Sequence, residues 1–487
     1  MTDRPEAPAS LLGMETRSID FIPERERHGR VWDQGPFWFL SNFQFYAIAI
    51  GFVGPSLGLS LGWTVLAGLI GVLIGTVFQA FHASQGAEMG LPQMIQSRAQ
   101  FGYRGVVVPL VGDMVSLVGY NVVATVLIAE GMHGLWGVNA VAGAVAINIV
   151  ASALAIWGHD WLHRAFRVLF WISLPLFSVL SVAILMDKAG GHAQAHLGFN
   201  GPAFLTQLAS AVSLNVTAAP YVSDYTRYLP SRTSRGAIIF NVFAGSSLSA
   251  VWLIVLGAWL ATHMGVADGL VAIRLAGDGV AGGLGSVLAG ASISALVATM
   301  GLSAYSAMLT GFTTIDSLHH IQPGRRARIV IILGVAAISL GIAIPFGGNA
   351  VTWLNSMLVV VLYFLIPWTA VNLVDYFLLR RGRYAVMDLF TPRGVYGAWG
   401  ARGLFAYLFG FAASLPFFVV PNVFTGPIAA RLGGVDLGWL VGLVVSAGVY
   451  LLVSLKFRPG DEDAAIAASR AAIAGMEQSR QVRQSSP

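Results

Sequence analysis

Twelve runs of about 20 apolar residues dominate this chain, and a helix of that length crosses the hydrocarbon core of a bilayer. Charged residues make up only 10% of the 487 residues, whereas about 25% is typical of soluble domains. The sequence therefore predicts an all-α polytopic membrane protein with 12 transmembrane helices. The predicted spans are approximately residues 37–60, 62–83, 106–132, 138–157, 166–186, 203–220, 237–262, 283–311, 327–346, 351–379, 403–421 and 436–455.

Arginine residues are concentrated in alternate loops between these spans. Arg98 and Arg104 follow the second span, and Arg325 and Arg326 precede the ninth, whereas the intervening loops contain almost no Arg or Lys. Loops rich in positive charge face the cytoplasm. We therefore expect a plasma-membrane protein with a cytoplasmic N-terminal tail (residues 1–36) and a cytoplasmic C-terminal tail (residues 456–487). The net charge of +5 reflects this topology in the lipid bilayer and predicts no nucleic-acid partner.

Two of the spans contain helix-breaking residues. In the first, the run from Ser41 to Trp63 reads SNFQFYAIAIGFVGPSLGLSLGW, and its Gly and Pro residues disfavour a continuous helix. This pattern predicts a break at the cluster from Gly51 to Gly62. The alternative is a Gly-rich helix that packs closely against its neighbours. The sixth span is interrupted in a similar way by Asn215, Thr217 and Pro220.

Broken helices in the first and sixth spans, which cross in opposite directions, are typical of inverted-repeat transporters. Irregular backbone at membrane depth must line a cavity or be buried in protein. The sequence therefore predicts a first repeat in residues 37–186, a second in residues 203–379, and two accessory helices in residues 403–455. We expect binding near the midplane, between spans 1, 3, 6 and 8.

Other function classes lack their sequence signals. The chain has no Cys, and it contains neither the HExxH nor the GxSxG motif that a metal-dependent or serine hydrolase would carry. No His residues have metal-ligand spacing, and no repeated filter motif indicates a channel. The sequence predicts a protein that is not an enzyme and has no cofactor and no metal site.

Polar residues form a stripe on the eighth span. Five hydroxyl residues recur at intervals of seven, four, three and four, which places them on one helix face. Such hydroxyls either bond to carbonyl groups of their own helix or face a polar pathway. The stripe consists of Ser292, Thr299, Ser303, Ser306 and Thr310.

Asp113 is one of few acidic residues within a predicted span. It shares a helix face with Ser116 and Tyr120, three and seven residues later. Because the third span begins only a few residues earlier, we expect a helix-end charge at the membrane interface. The alternative is a proton carrier or gate residue, since ionisable groups inside spans are functional candidates.

Several motifs occur together and in a specific order. They are GLPQMIQSRAQFGYRG (Gly90–Gly105), SDYTRYLP (Ser223–Pro230), LIPWTAVNLVDYFLLRRGRYAVMDLF (Leu365–Phe390), QGPF (Gln34–Phe37) and YGAWG (Tyr396–Gly400). Together they resemble the nucleobase–cation symport family one, which includes purine–cytosine permeases and hydantoin permeases. The resemblance implies a leucine-transporter-type fold with a 5+5 inverted repeat.

The resemblance also implies function. It implies a symporter that imports a small planar heterocycle (purine, cytosine, uracil, allantoin or hydantoin) driven by a monovalent cation, H⁺ or Na⁺. The alternatives are a non-transporting membrane nucleobase sensor and a transporter of a different small nitrogenous solute. Asp224 and Asp375, which lie in the motifs, are expected to cap helices or pair with arginines rather than bind substrate.

By resemblance, the heterocycle stacks on Tyr120, where family members carry an aromatic residue in span 3. Ala124 stands where the family has an amide, so Asn121 or Thr125 is expected to substitute for it. Span 6 has no aromatic residue between Gln207 and Pro220, where the family has a Trp, so the stack is one-sided or another aromatic residue completes it. Candidates in span 1 are Phe43, Phe45 and Tyr46. The full predicted substrate-binding set is Phe43, Gln44, Gly51, Tyr120, Asn121, Ala124, Asn215, Thr217, Ser303 and Ser306.

The same register implies a cation site between spans 1 and 8. Carbonyl groups near Phe45 and Ile48 would contribute from span 1, and carbonyls and hydroxyls suit a hard cation such as Na⁺. Gly301 and Leu302 occupy the positions of the adjacent Ser–Thr pair of sodium-coupled relatives, and Thr299 lies nearby. Because Gly301 and Leu302 carry no hydroxyl, H⁺ and Na⁺ remain equal alternatives.

Overall fold

The computed structural model describes residues 19–192, 197–321, 324–345, 350–421 and 423–485, and most of them are helical. Residues 1–18 of the predicted N-terminal tail and residues 486–487 of the predicted C-terminal tail lie outside this range. In the first half of the chain the helices are α1 (Val31–Asn42), α2 (Phe45–Gly51), α3 (Val53–Ser56), α4 (Leu61–Met89), α5 (Gln93–Gln96), α6 (Arg98–Phe101), α7 (Val107–Trp136), α8 (Ala140–Trp157), α9 (His159–Leu185), α10 (Gly201–Val216) and α11 (Val222–Thr226).

The second half continues in the same style. Its helices are α12 (Arg235–His263), α13 (Gly269–Val280), α14 (Leu284–Leu318), α15 (Arg325–Ala343), α16 (Ala350–Leu373), α17 (Ala401–Ser414), α18 (Pro427–Arg431), α19 (Gly438–Val453) and α20 (Asp463–Ser485). A π-helical segment, Val374–Leu379, extends α16. Two short antiparallel strands, β1 (Val419–Val420) and β2 (Phe424–Thr425), form a hairpin after α17.

Long apolar helices confirm the predicted all-α membrane class. Among the described residues, 8 helices (α4, α7, α8, α9, α12, α14, α15 and α16 with its extension) are long and apolar enough to cross a membrane. The bent pair formed by α1 and α2–α3 brings the number to 9. The helices α10, α17 and α19 are shorter, at 16, 14 and 16 residues. The 12 spans and the repeat boundaries stay predictions.

The first predicted span is broken at Phe43 and Gln44. There α1 ends, α2 begins, and the two parts are bent by 57°. Gln44 is extended (φ −144°, ψ 166°), and its side chain accepts a hydrogen bond of 2.6 Å from the backbone N–H of Tyr46. This contact satisfies a donor that the first turn of α2 cannot pair internally. The predicted break at Gly51–Gly62 was therefore wrong in position.

Gly51, the first glycine of that cluster, serves close helix packing instead. A Cβ atom at Gly51 would lie 2.4 Å from the carbonyl oxygen of Ile254 and 2.5 Å from the nitrogen of Ala258, both on α12. Between α2 and α3 the chain stays near-helical, because Phe52 has φ −79° and ψ −19°. Gly51 thus fits the alternative, in which small residues let two membrane helices approach.

The sixth predicted span is interrupted where the sequence indicated. The helix α10 ends at Val216, and α11 begins at Val222. The intervening residues 217–221 form turns that include Pro220.

The sequence motifs meet at one end of the helix bundle. Gln93, after α4, donates its backbone N–H to Oδ1 of Asp224 in α11 (3.1 Å). Gln100 donates from Nε2 to Oδ2 of Asp375 after α16 (2.7 Å). Asp375 also pairs with Arg380. Both acids therefore cap or pair, as the sequence analysis predicted.

Both terminal segments lie at this same end. The backbone N–H of Glu24 donates to Oε1 of Glu477 in α20 (3.2 Å). Arg380 donates to both carboxylate oxygens of Glu462, just before α20, over 2.9 and 2.7 Å. The two ends of the described chain therefore share one side of the bundle, which agrees with an even number of crossings.

Candidate functional site

The two helix breaks touch each other inside the bundle. Nδ2 of Asn42, the last residue of α1, donates a hydrogen bond of 2.6 Å to Oδ1 of Asn215 near the end of α10. Asn42 Nδ2 also lies 3.3 Å from the carbonyl oxygen of Ser246 on α12. Asn215 in turn donates from Nδ2 to Thr76 Oγ1 on α4 over 2.5 Å. These buried bonds satisfy polar groups that hydrocarbon cannot.

A cavity of about 30 Å³ lies beside the breaks, among α1, α2, α7, α10 and α14. It has room for about one water molecule. The lining side chains are Ser41, Asn42, Gln44, Tyr46, Ser116, Leu117, Tyr120, Asn121, Ala124, Leu214, Thr217, Tyr221, Leu296, Thr299, Met300 and Ser303. Most of these side chains carry a polar group, and polar groups placed in a cleft fix the orientation of a bound small molecule.

Aromatic rings form one wall of this cavity. Tyr46 of α2 and Tyr120 of α7 stack with their ring centroids 4.8 Å apart and their planes at 29°. The Thr217 hydroxyl donates a hydrogen bond of 3.0 Å to the Tyr120 hydroxyl, which links the ring to the second break. Tyr221, at the end of that break, also lines the cavity.

Three lining residues carry polar atoms that are buried without a hydrogen-bond partner. They are the Tyr46 hydroxyl, the Ser116 hydroxyl and Oδ1 of Asn121. Buried polar atoms are normally paired, so each orphan needs an explanation. Donors and acceptors of a bound molecule are a natural one, because a planar heterocycle offers both along its edges.

A sequence model of the permease family for cytosine/purines, uracil, thiamine and allantoin matches residues 21–442 of this chain. The chain belongs to this permease family. The protein YxlA of Bacillus subtilis is 32% identical to the permease over 458 residues, which cover 93% of the permease and 99% of YxlA. The purine-cytosine permease fcyB of Emericella nidulans is 24% identical over 457 residues, with 91% and 89% covered.

The fold also has solved counterparts. Mhp1, a nucleobase-cation-symport-1 family transporter solved in a closed conformation with bromovinylhydantoin bound, superposes with a TM-score of 0.70. The match covers 91% of the permease and 97% of Mhp1 at 18% identity. This likeness confirms the leucine-transporter-type fold, and the family confirms a transporter rather than an enzyme.

About half of the predicted substrate-binding residues line the cavity of the permease. They are Gln44, Tyr120, Asn121, Ala124, Thr217 and Ser303. Phe43 instead stacks on Phe39 (5.2 Å) and packs edge-on against Trp252 (5.1 Å). Gly51 faces α12, Asn215 bonds behind the cavity, and Ser306 is buried outside its lining.

Two aromatic residues that line the cavity were not in the predicted set. Tyr46 was considered only as an alternative aromatic residue, and Tyr221 was missed. Tyr221 follows Pro220 directly and therefore lies just outside the predicted span 203–220. It supplies an aromatic side chain at the second break, and its position after the helix-breaking Pro220 is the signal in the sequence that points to it.

Of the five predicted cation-site residues, only Thr299 lines the cavity, and its hydroxyl donates to the carbonyl oxygen of Ala295 (3.1 Å). A Cβ at Gly257 on α12 would lie 2.0 Å from the Ile48 carbonyl oxygen, so this carbonyl packs against α12. The Phe45 ring lies against Gly269 of α13.

Gly301 and Leu302 lie on other faces of α14. A Cβ at Gly301 would lie 3.1 Å from the carbonyl oxygen of Ala151 on α8, and Leu302 is fully buried outside the cavity lining. Two residues along a helix correspond to a turn of about 200°, so Gly301 points away from Thr299. The cation site between spans 1 and 8 therefore stays a prediction.

Asp113 is buried rather than placed at a helix end. It lies six residues after the start of α7 and has 0% of its surface exposed. Thr310 on α14 donates its hydroxyl to Oδ2 of Asp113 over 2.6 Å. Asp113 is therefore enclosed by protein, because α14 and its neighbours cover this turn of α7, and its position at the membrane interface stays a prediction.

Proposed function

We propose that this permease is a plasma-membrane symporter that imports a nucleobase or related heterocycle, driven by H⁺ or Na⁺. The observation that carries the proposal is the cavity between the two broken helices, where stacked tyrosines meet buried polar atoms without partners. The purine-cytosine permease fcyB and the hydantoin-bound Mhp1 support the same substrate class. The candidates are purines, cytosine, uracil, allantoin and hydantoins.

Tyr120 offers the flat face on which such a ring would stack. Its ring belongs to the long helix α7, and the bond from Thr217 holds its hydroxyl. Base–aromatic stacking is worth about 1–3 kcal/mol per base. Tyr120 is therefore the residue that we expect to contribute most to affinity.

Tyr46 must move for a ring to bind against Tyr120 on that side. The two tyrosine centroids are 4.8 Å apart, whereas an intercalated ring needs about 7 Å, twice the carbon contact distance of about 3.5 Å. Because Tyr46 lies two residues after the break at Gln44, rotation of α2 about the break would separate the rings. Substrate binding would then be coupled to helix movement.

Polar groups around the rings would select the substrate. The Ser116 hydroxyl and Asn121 Oδ1 come from α7, and the Tyr46 hydroxyl comes from α2. A site built to bond such groups discriminates strongly against analogues that lack them, because its own buried groups are then left unpaired. Because these groups lie on both α2 and α7, a bound substrate would connect the two helices, and its release would free them to move in alternating access at the breaks.

The positive charges give the orientation of the permease in the membrane. In this proposal the arginine-rich loops and both terminal segments lie on one side of the bundle, and that side faces the cytoplasm. The contacts of Glu24 with Glu477 and of Arg380 with Glu462 support a common side for the two tails.

The direct test is uptake of labelled nucleobases, allantoin and hydantoins into vesicles that contain the purified protein. An inward Na⁺ gradient and an inward H⁺ gradient are imposed separately, and counterflow without any gradient is the third arm. We expect accumulation of at least one compound under one gradient. Folded protein that exchanges no compound in any arm contradicts the proposal. Binding without exchange would indicate the sensor alternative instead.

A further inference from the structure

Asp113 is an acidic residue within the membrane helix α7. It does not line the substrate cavity, so substrate binding does not explain its role. One carboxylate oxygen accepts the Thr310 hydroxyl at 2.6 Å, and the other has no hydrogen-bond partner. No ion pair with Asp113 occurs among the described residues. An ionised carboxylate in such a place is strongly disfavoured, so a bound proton is the way to neutralise it.

In the part of the chain that the structure describes, no Arg, Lys or His side chain lies within ion-pair distance of Asp113. Thr310 of α14 bonds to Asp113, Tyr221 of the second break lies near its carboxylate, and the Tyr407 hydroxyl of α17 and Phe364 of α16 face the adjacent residue Gly112. Tyrosine side chains remain neutral near pH 7. Asp113 is therefore the carboxyl group of this region that can bind and release a proton.

Buried hydroxyl groups lie between Asp113 and the cavity. Ser116, one turn further along α7, lines the cavity and has an unpartnered hydroxyl. On α14, Ser306 lies one turn from Thr310 and is also unpartnered, and Ser303 beyond it lines the cavity. Residues three or four apart on a helix are neighbours. Two helices thus offer hydroxyls that lead from the acid to the substrate.

We propose that Asp113 binds the coupling proton of this permease, which makes the symport proton-driven. The inference rests on the proposed symport function. With the cavity open to the outside, a proton from water binds the free carboxylate oxygen and the O–H bond forms. With the cavity open to the cytoplasm, that bond breaks and the proton leaves to water, while Asp113 becomes charged again. Substrate and proton thus cross together.

Proton coupling also fits the surroundings of the predicted cation residues. Ile48 packs its carbonyl oxygen against Gly257, and Gly301 faces α8. Neither residue shares the cavity with Thr299. Asp113, in contrast, reaches the substrate region through its own helix and through Thr310.

The test compares Asp113→Asn with the unaltered permease in liposomes that contain a pH-sensitive dye. The substrate is the panel compound that exchanges fastest. We expect Asp113→Asn to retain counterflow exchange but to lose both accumulation under a pH gradient and substrate-dependent proton influx. Glu130→Gln, at the other end of the same helix, is the matched control and should keep all three activities.

The outcomes separate the two proposals. If the unaltered permease exchanges no compound, the proposed function itself fails. If it exchanges a compound and Asp113→Asn still accumulates it with proton influx, the proton assignment alone is overturned. Accumulation that requires a Na⁺ gradient and moves no protons overturns it as well.

A second variant keeps the proposal testable if Asp113→Asn does not fold. Thr310→Val removes the hydroxyl that stabilises the ionised form of Asp113, so the pH of half-maximal proton-driven uptake should rise by about one unit. An unchanged pH profile in folded Thr310→Val protein contradicts the role of Asp113.

Discussion

Asn42 and Asn215 join the two helix breaks through a buried hydrogen bond of 2.6 Å between Nδ2 and Oδ1. This bond links α1 to α10, the two helices whose interruption exposes backbone beside the cavity. Its loss should therefore affect both the stability of the permease and the positions of its cavity walls.

We predict that Asn42→Ala lowers the free energy of unfolding by about 1–3 kcal/mol, because Asn215 Oδ1 is left buried without a donor. The measurement is thermal unfolding in detergent, with uptake kinetics on the same protein. Asn215→Ala should cost a similar amount. The double variant should lose less free energy of unfolding than the sum of the two single variants, because both single variants lose the same hydrogen bond between Asn42 and Asn215. Additive effects would show that the two side chains act independently.

Tyr120→Ala should weaken substrate binding by about 1–3 kcal/mol if the ring stacks on the heterocycle. Tyr120→Phe keeps the ring and should retain most of the affinity, although it loses the bond with Thr217. Competition binding on purified protein measures both. Phe43→Leu changes an aromatic residue outside the cavity and should leave affinity unaltered. If Tyr120→Ala binds normally, Tyr120 is not the stacking partner.

Tyr46→Ala should make the permease less selective for small substrates. Removing a ring that lies 4.8 Å from Tyr120 enlarges the site, so a hydantoin with a bulky substituent should gain affinity relative to unsubstituted hydantoin by about 1–3 kcal/mol. The ratio of the two inhibition constants measures this change. Tyr46→Phe keeps the ring and should show the ratio of the unaltered protein. An equal ratio in all three proteins would place Tyr46 outside the path of the substituent.

Arg380→Ala should destabilise the permease by about 3–5 kcal/mol, since it leaves buried acids without their cation. Arg380 lies between Asp375 and Glu462, and Asp375 also accepts bonds from Tyr384 (2.8 Å) and Tyr450 (2.9 Å). Thermal unfolding in detergent is the measurement.

Arg383→Ala is the matched control for this prediction. Its pair with Asp463 is about half exposed, and exposed pairs contribute about 0–1 kcal/mol. Similar losses from the two variants would mean that the buried cluster around Arg380 does not hold the end of α16 to the C-terminal segment.

Composition and charge were enough to predict the membrane class, and the ordered motifs were enough to predict the family. The interruption after Val216 was also predictable, because Asn215, Thr217 and Pro220 combine polar groups with a helix breaker. The apolar runs and the helix-breaking residues are local signals, because each determines the backbone conformation of its own segment.

The position of the first break was not predictable from the Gly–Pro pattern. A glycine that breaks a helix and a glycine that admits a neighbouring helix look the same in a sequence, and Gly51 is the second kind. The real break depends on Gln44 and on the distant partner Asn215. Burial of Asp113 by α14 is likewise a contact across the fold, whereas the sequence alone favoured a helix-end charge at the membrane interface.

The two roles of glycine can be separated by Gly51→Ala and Gly62→Ala. At Gly51 the new methyl group would lie 2.4 Å from the carbonyl oxygen of Ile254, so α2 must move away from α12 and the protein should lose stability. At Gly62, in the first turn of α4, nothing lies within 4 Å, and alanine should stabilise the helix by about 0.4–1 kcal/mol. Thermal unfolding and uptake measure both effects. If Gly51→Ala is as stable as the unaltered permease, Gly51 is not required for packing against α12, and a break in the helix at Gly51–Gly62 becomes the better explanation of the glycines.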